Sequence, residues 1–176
     1  MHIKIFATIL GIAGLNVLCA QPGLSPDAKV LVAMEKVRAL AGEWHGSGWI
    51  QMGPQRHQFD QKESVTVKAN GAVIVIDGLG RNIADSTQII HQAYAVVSYD
   101  LKTKKYLMRA FRGDGNYVDA DFSVQEDGSI VWGFTHPMAG QIRYTIRLQN
   151  GQWVETGDTS RDGQTWLPFF EMKLTQ

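Results

Sequence analysis

From residue 44 onward, apolar and polar residues alternate along the chain. In DADFSV (119–124), Asp119, Asp121 and Ser123 oppose Ala120, Phe122 and Val124. In IRYTIRL (142–148), Ile142, Tyr144, Ile146 and Leu148 oppose Arg143, Thr145 and Arg147. A two-residue period places one set on each face of a strand, so one face is dry and the other wet. The punctuation agrees. Asn70-Gly71, Asp114-Gly115, Asp127-Gly128, Asn150-Gly151 and Asp162-Gly163 are turn dipeptides, and reversals are also expected near Gly53 and Lys102. Cutting there predicts roughly ten strands, over 44–52, 55–67, 72–80, 88–100, 104–112, 116–125, 129–136, 140–149, 152–160 and 164–175. One helix precedes them: Ser25 is the expected N-cap, with Pro26 in the first helical position and Gly42 as the stop. Val30, Met34, Val37 and Ala41 give it an apolar stripe.

A long meander with one apolar face must close on itself or pair two sheets, and closure removes the edges. The expected fold is therefore all-β, an antiparallel up-and-down barrel of about ten strands with one N-terminal helix over an end; an open sandwich is the alternative. Such a barrel has volume for a small ligand. The stretch GEWHGSGW puts Trp44, Gly46, Gly48, Ile50 and Met52 on one strand face. Trp44 is expected to plug the closed end beneath the helix. Gly46 and Gly48 either bend the strand or keep a cavity wall low.

The first twenty residues change the compartment. Lys4, an apolar run from Ile5 to Leu18 and the small Ala20 predict a secretory signal peptide over 1–20, cut after Ala20. The expected division is then a helical segment over 21–42 and a barrel domain over 43–176, periplasmic or secreted. The single cysteine, Cys19, falls within the signal, leaving no thiol chemistry or disulfide. Seventeen basic and seventeen acidic residues balance to zero net charge. Such a chain lacks the concentrated positive charge that nucleic acid or an anionic membrane surface requires, and after signal cleavage no membrane insertion is expected.

GEWHGSGW fits the Gly-x-Trp-x-Gly-x-Gly pattern and resembles the opening strand of nitrobindin-like haem-binding barrels and of lipocalin-like (calycin) barrels more widely. YDLKTKKY and WVETGDTSRDGQTWLPFFEMKLT resemble a family of secreted bacterial lipocalin-like proteins, a domain of unknown function. The resemblance spans about 40 to 176 and implies a barrel of about ten strands with an internal pocket. Nitrobindin-like barrels ligate haem iron through a histidine near the C-terminal end, and no histidine follows His136 here. The resemblance therefore does not carry the cofactor across, and none is expected.

Four histidines outside the signal, His45, His57, His91 and His136, fall on separate segments without ligand spacing, so no metal site is expected. His136 stands out in THPMAG, a tight connection at a barrel end. Glu155 and Glu171 lie either side of the Asp162-Gly163 turn. A three-residue loop would set Glu155 opposite Phe169 and Trp153 opposite Glu171, with both acids on one face; a one-residue slip would part them. Arg-Gly-Asp at 112–114 reads as hairpin residues, and DGNYVDAD lacks the ligand pattern of a calcium loop. No nucleophile elbow, phosphate loop or dinucleotide fingerprint occurs.

The reading is a non-catalytic, exported barrel that binds a small apolar or amphipathic molecule. The candidate ligand residues are Trp44, Gly46, Gly48, Arg109, His136, Trp153, Glu155, Phe170 and Glu171. One alternative is an enzyme at the barrel mouth using Glu155 with Glu171, or His136. A haem-binding barrel or a structural module filled by its own side chains are the others.

Overall fold

The computed structural model describes residues 25–176. The expected signal peptide, its cut site and Cys19 lie outside the described residues.

Ten strands follow one another around a closed antiparallel barrel: β1 (Gly42–Met52), β2 (Gln55–Lys68), β3 (Val73–Asn82), β4 (Ile89–Asp100), β5 (Lys105–Arg112), β6 (Tyr117–Val124), β7 (Ile130–His136), β8 (Gly140–Gln149), β9 (Gln152–Ser160) and β10 (Leu167–Thr175). Each pairs with its sequence neighbours, and β1 pairs with β10 to close the ring. The turn dipeptides sit where the alternation predicts them. At the β8–β9 reversal, Asn150 and Gly151 take φ of 52° and 73°, the paired positive values that a two-residue Asn-Gly hairpin needs.

Helix α1 (Ala28–Glu35) is shorter than the apolar stripe implies. Its N-cap is Asp27 rather than Ser25, the carboxylate accepting a hydrogen bond from Lys29 N at 2.7 Å. After α1 the chain tightens into a 3-10 turn at Arg38–Leu40. Met34, Val37 and Leu40 are buried from this segment. The Tyr106 hydroxyl donates to Ala33 O at 2.7 Å, tying α1 to the barrel. The helix covers the end where Trp44 begins β1, and the Trp44 indole donates to Leu40 O at 2.8 Å. That satisfied indole, edge-on to Trp153 at 5.7 Å, is the expected plug.

Gly46 and Gly48 have a role other than lowering a cavity wall. A Cβ on Gly46 would run into the backbone of Lys173 and Leu174, and one on Gly48 would meet the Phe59 ring at 2.7 Å and Met172 Cβ at 2.8 Å. They let β10 come close enough to β1 to close the barrel.

One register expectation is overturned. Glu155 pairs with Met172 and Trp153 with Leu174, three residues from the positions a three-residue loop would give. The β9–β10 connection occupies Arg161–Trp166, and the ladder is irregular between Pro168 and Phe170. Asp162 organises this longer loop by accepting from the backbone N–H of Gln164 and Thr165. An odd displacement moves Glu171 to the opposite face.

Candidate functional site

The inward faces build a lumen in layers. Near the helix end, Trp44, Val65, Ile74, Val97, Trp153 and Leu174 form dry packing. At the other end, Phe59, His91 and Phe170 pack ring against ring, with centroids 5.8–6.1 Å apart. Between them the wall thins. β4 and β5 line it with His91, Ala93, Ala95, Met108 and Ala110, three of the five being alanines, and the cavity left open is about 60 Å³. A cavity of about 150 Å³ holds benzene, so this one has room for a few waters or a short aliphatic group rather than a ring. A longer molecule would have to extend through the mouth.

Two carboxyls face this space. Glu155 is 5% exposed and Glu63 is 4% exposed. Both Glu155 oxygens accept indole hydrogen bonds, from Trp132 at 3.0 Å and Trp153 at 3.1 Å. Glu63 accepts from Gln61 Nε2 at 2.7 Å through Oε1, while its Oε2 is buried without a partner. Glu63 stands opposite Gly78 on β3, and the missing side chain there makes its room, since a Cβ would lie 2.6 Å from both carboxyl oxygens. Gln61 Oε1 and His91 Nδ1 are also buried without partners. Tyr144 stacks on Trp132 at 4.1 Å between centroids, nearly coplanar at 9°.

Burial sets the electrostatics. It pushes Glu155 up to about 7, against the two indole donors that favour its ionised form. Burial pushes Glu63 further, to about 8, helped by the charge of Glu155 and opposed by the Gln61 hydrogen bond. His91 is driven down to about 4 by burial, so its imidazole is neutral at pH 7. Tyr144 is raised by burial and by the charge of Glu155. At neutral pH the two acids therefore hold protons that exposed carboxyls would have lost. No Lys or Arg lines the cavity.

The structure divides the candidate residues. Trp153, Glu155 and Phe170 line the lumen. Trp44, Gly46 and Gly48 build the barrel around it without lining it. Three candidates lie elsewhere. Arg109 points outward from β5, paired with Asp119 at 2.7 Å and laid over the Tyr117 ring at 4.4 Å. Glu171 points outward and pairs with Lys173 at 3.0 Å. His136 fastens its own turn, Nδ1 accepting from the N–H of Met138 and Ala139 at 3.2 and 3.1 Å. The Glu155–Glu171 pair is thus not assembled, and the partner of Glu155 in the lumen is Glu63. Glu63, His91, Trp132 and Tyr144 were not among the sequence candidates. Glu63 shares a strand face with Phe59 and Val65, but Gln61 and Glu63 itself break the apolar run of that face.

The lumen does not fit haem. The inward residues of β10 are Phe170, Met172 and Leu174 rather than an imidazole, and the void is far smaller than a porphyrin. Among the described residues no group of three or more His, Cys, Asp or Glu could hold a metal ion.

Fold and site together define a lipocalin-like (calycin) barrel whose interior is acidic. Its shape is similar to that of Rv2717c from M. tuberculosis, with a TM-score of 0.60 and 13% identity, covering 82% of this chain and 96% of that one. It is also similar to the S-type phycobiliprotein lyase CPES from Guillardia theta, with a TM-score of 0.54 and 11% identity, covering 81% and 90%. No family model and no curated protein sequence matches the chain.

Proposed function

We propose that this protein is exported to the periplasm or beyond, and binds a small amphipathic molecule in the barrel lumen without catalysis. One observation carries the binding: an apolar void of about 60 Å³ is faced by a carboxyl oxygen of Glu63 that has no partner. A buried polar atom left unpaired costs about 1–3 kcal/mol, so a ligand that supplies the missing hydrogen bond recovers it. An apolar lining with a few placed polar groups is how small-ligand sites are built. The balanced charge supports a small molecule over nucleic acid, and the composition of residues 1–20 supports export. Similarity in shape to a protein named a lyase does not decide between binder and enzyme, so the reading rests on the lumen itself.

The test is a thermal-shift screen of small aromatic and amphipathic compounds against the chain starting at Gln21, repeated on Ala110→Leu. Leucine at 110 grows into the cavity, so compounds that raise the wild-type melting temperature should lose their effect on the variant. A screen without hits, or hits that survive in the filled variant, would place binding outside the lumen or remove it.

A further inference from the structure

Resting on that small-molecule reading, we infer that the lumen selects an amine, taken up as its ammonium cation between Glu63 and Glu155. With Glu63 and Glu155 ionised, the cavity holds acceptors in excess of donors. Glu63 Oε2 is buried and unpartnered, and Glu155 keeps a second lone pair on each oxygen beyond its indole donors. An ammonium carries three donors and no acceptor, which complements this set. A carboxylate ligand would add a third acid to a lumen with no lysine or arginine on its wall. A purely apolar ligand would leave Glu63 Oε2 as it is, dry and unpaired. The organic part of the amine would lie against the alanine wall, within reach of the stacked rings of Trp132 and Tyr144, whose faces attract a cation.

Entry of a cation has a consequence for protons. Between them Glu63 and Glu155 hold protons at neutral pH, because burial disfavours two charges in one apolar space. An ammonium beside them favours both ionised forms, and the displaced protons pass to solvent. The other titratable groups around the pair are Asp77 on β3, His91 on β4 and Tyr144 on β8. Asp77 opposes ionisation of Glu63, while His91 is neutral and contributes no charge at pH 7.

The chain starting at Gln21 is titrated calorimetrically at pH 7 with ethylamine, with the neutral isostere ethanol and with acetate, each small enough for the cavity. Ethylamine is expected to bind at least about tenfold more tightly than ethanol, and acetate not at all, since tenfold is the effect of one modest charge-assisted hydrogen bond. Repetition in buffers of different ionisation heat should show net proton release with the amine. Glu63→Gln and Glu155→Gln, each nearly isosteric with the protonated acid, should remain folded and lose the preference for the amine over the alcohol. Equal binding of alcohol and amine, or tighter binding of acetate, overturns the amine assignment and leaves the binding reading standing. Silence from all three probes also overturns it, whereas the binding reading falls only if the broad screen is empty as well.

Discussion

Glu63 and Glu155 occupy positions where a charge is poorly solvated, and this gives stability a definite pH dependence. Their folded-state values, about 8 and about 7, lie above the ordinary 4.5, so the folded chain holds protons that the unfolded chain releases. That contribution is complete below about 4.5 and is lost as pH rises through the folded values. His91 runs the other way: lowered from 6.5 to about 4, it contributes stability above 6.5 that is lost as pH falls through about 4. Between 6.5 and 8 the carboxyls decide the sign. Unfolding free energy from urea titration should fall with pH by about 1.4 kcal/mol per unit for each carboxyl still protonated. The Glu63→Gln, Glu155→Gln double variant should flatten the slope; a flat wild-type profile over this window would contradict the assignment. Gly46 makes a second residue-scale test. Gly46→Ala should lower stability by about 3 kcal/mol or more, because the new methyl meets the backbone of β10 rather than a movable side chain. Calorimetric melting checks it, and an unchanged melt would mean the seam can open without cost.

At the scale of elements, the alternation and turn dipeptides place every strand, since a two-residue period and a glycine-bearing reversal are local properties. What they do not place is the pairing between strands. The β9–β10 register depends on how Asp162 gathers the 161–166 loop and on the irregularity beside Phe169, neither of which leaves a periodic trace. For that reason Glu171 belongs outside the barrel although its sequence separation from Glu155 admits a pair. β2 hides its site differently. Gln61 and Glu63 interrupt an inward face that otherwise reads Phe59, Val65, Val67, and Asp60, Lys62 and Ser64 face out, so both faces are polar there and alternation carries no contrast. The helix illustrates a third limit: the apolar stripe from Val30 to Ala41 continues past α1 because Val37, just before the 3-10 turn, and Leu40 within it are buried. Trp44 joins that segment to β1. Trp44→Ala should cost about 3–5 kcal/mol, from the emptied volume and from Leu40 O losing its donor. Denaturant midpoints measure the loss, and a cost under about 1 kcal/mol would show that the helix end closes without it.

For the whole molecule, closure and hollowness are separate properties. The ring from β1 to β10 leaves no sheet edge, and aromatic layers pack across either end of the lumen. Between those layers the alanines of β4 and β5 leave space, and the sequence places two acids into it, one of which, Glu63, keeps an oxygen without a partner. A barrel filled only for stability would gain from larger apolar groups there, because each missing contact and each unpaired oxygen is a cost. The account depends on those two carboxyls being buried together in the lumen and holding their protons near neutral pH. Carbon-detected NMR titration of the side-chain carboxyls, assigned with Glu63→Gln and Glu155→Gln, measures this directly. The expected result is two coupled midpoints near 8 and near 7, well separated from the exposed acids. Midpoints for both residues near the ordinary value of 4.5 would contradict the account, since carboxyls that ionise so readily would not be buried in an apolar lumen.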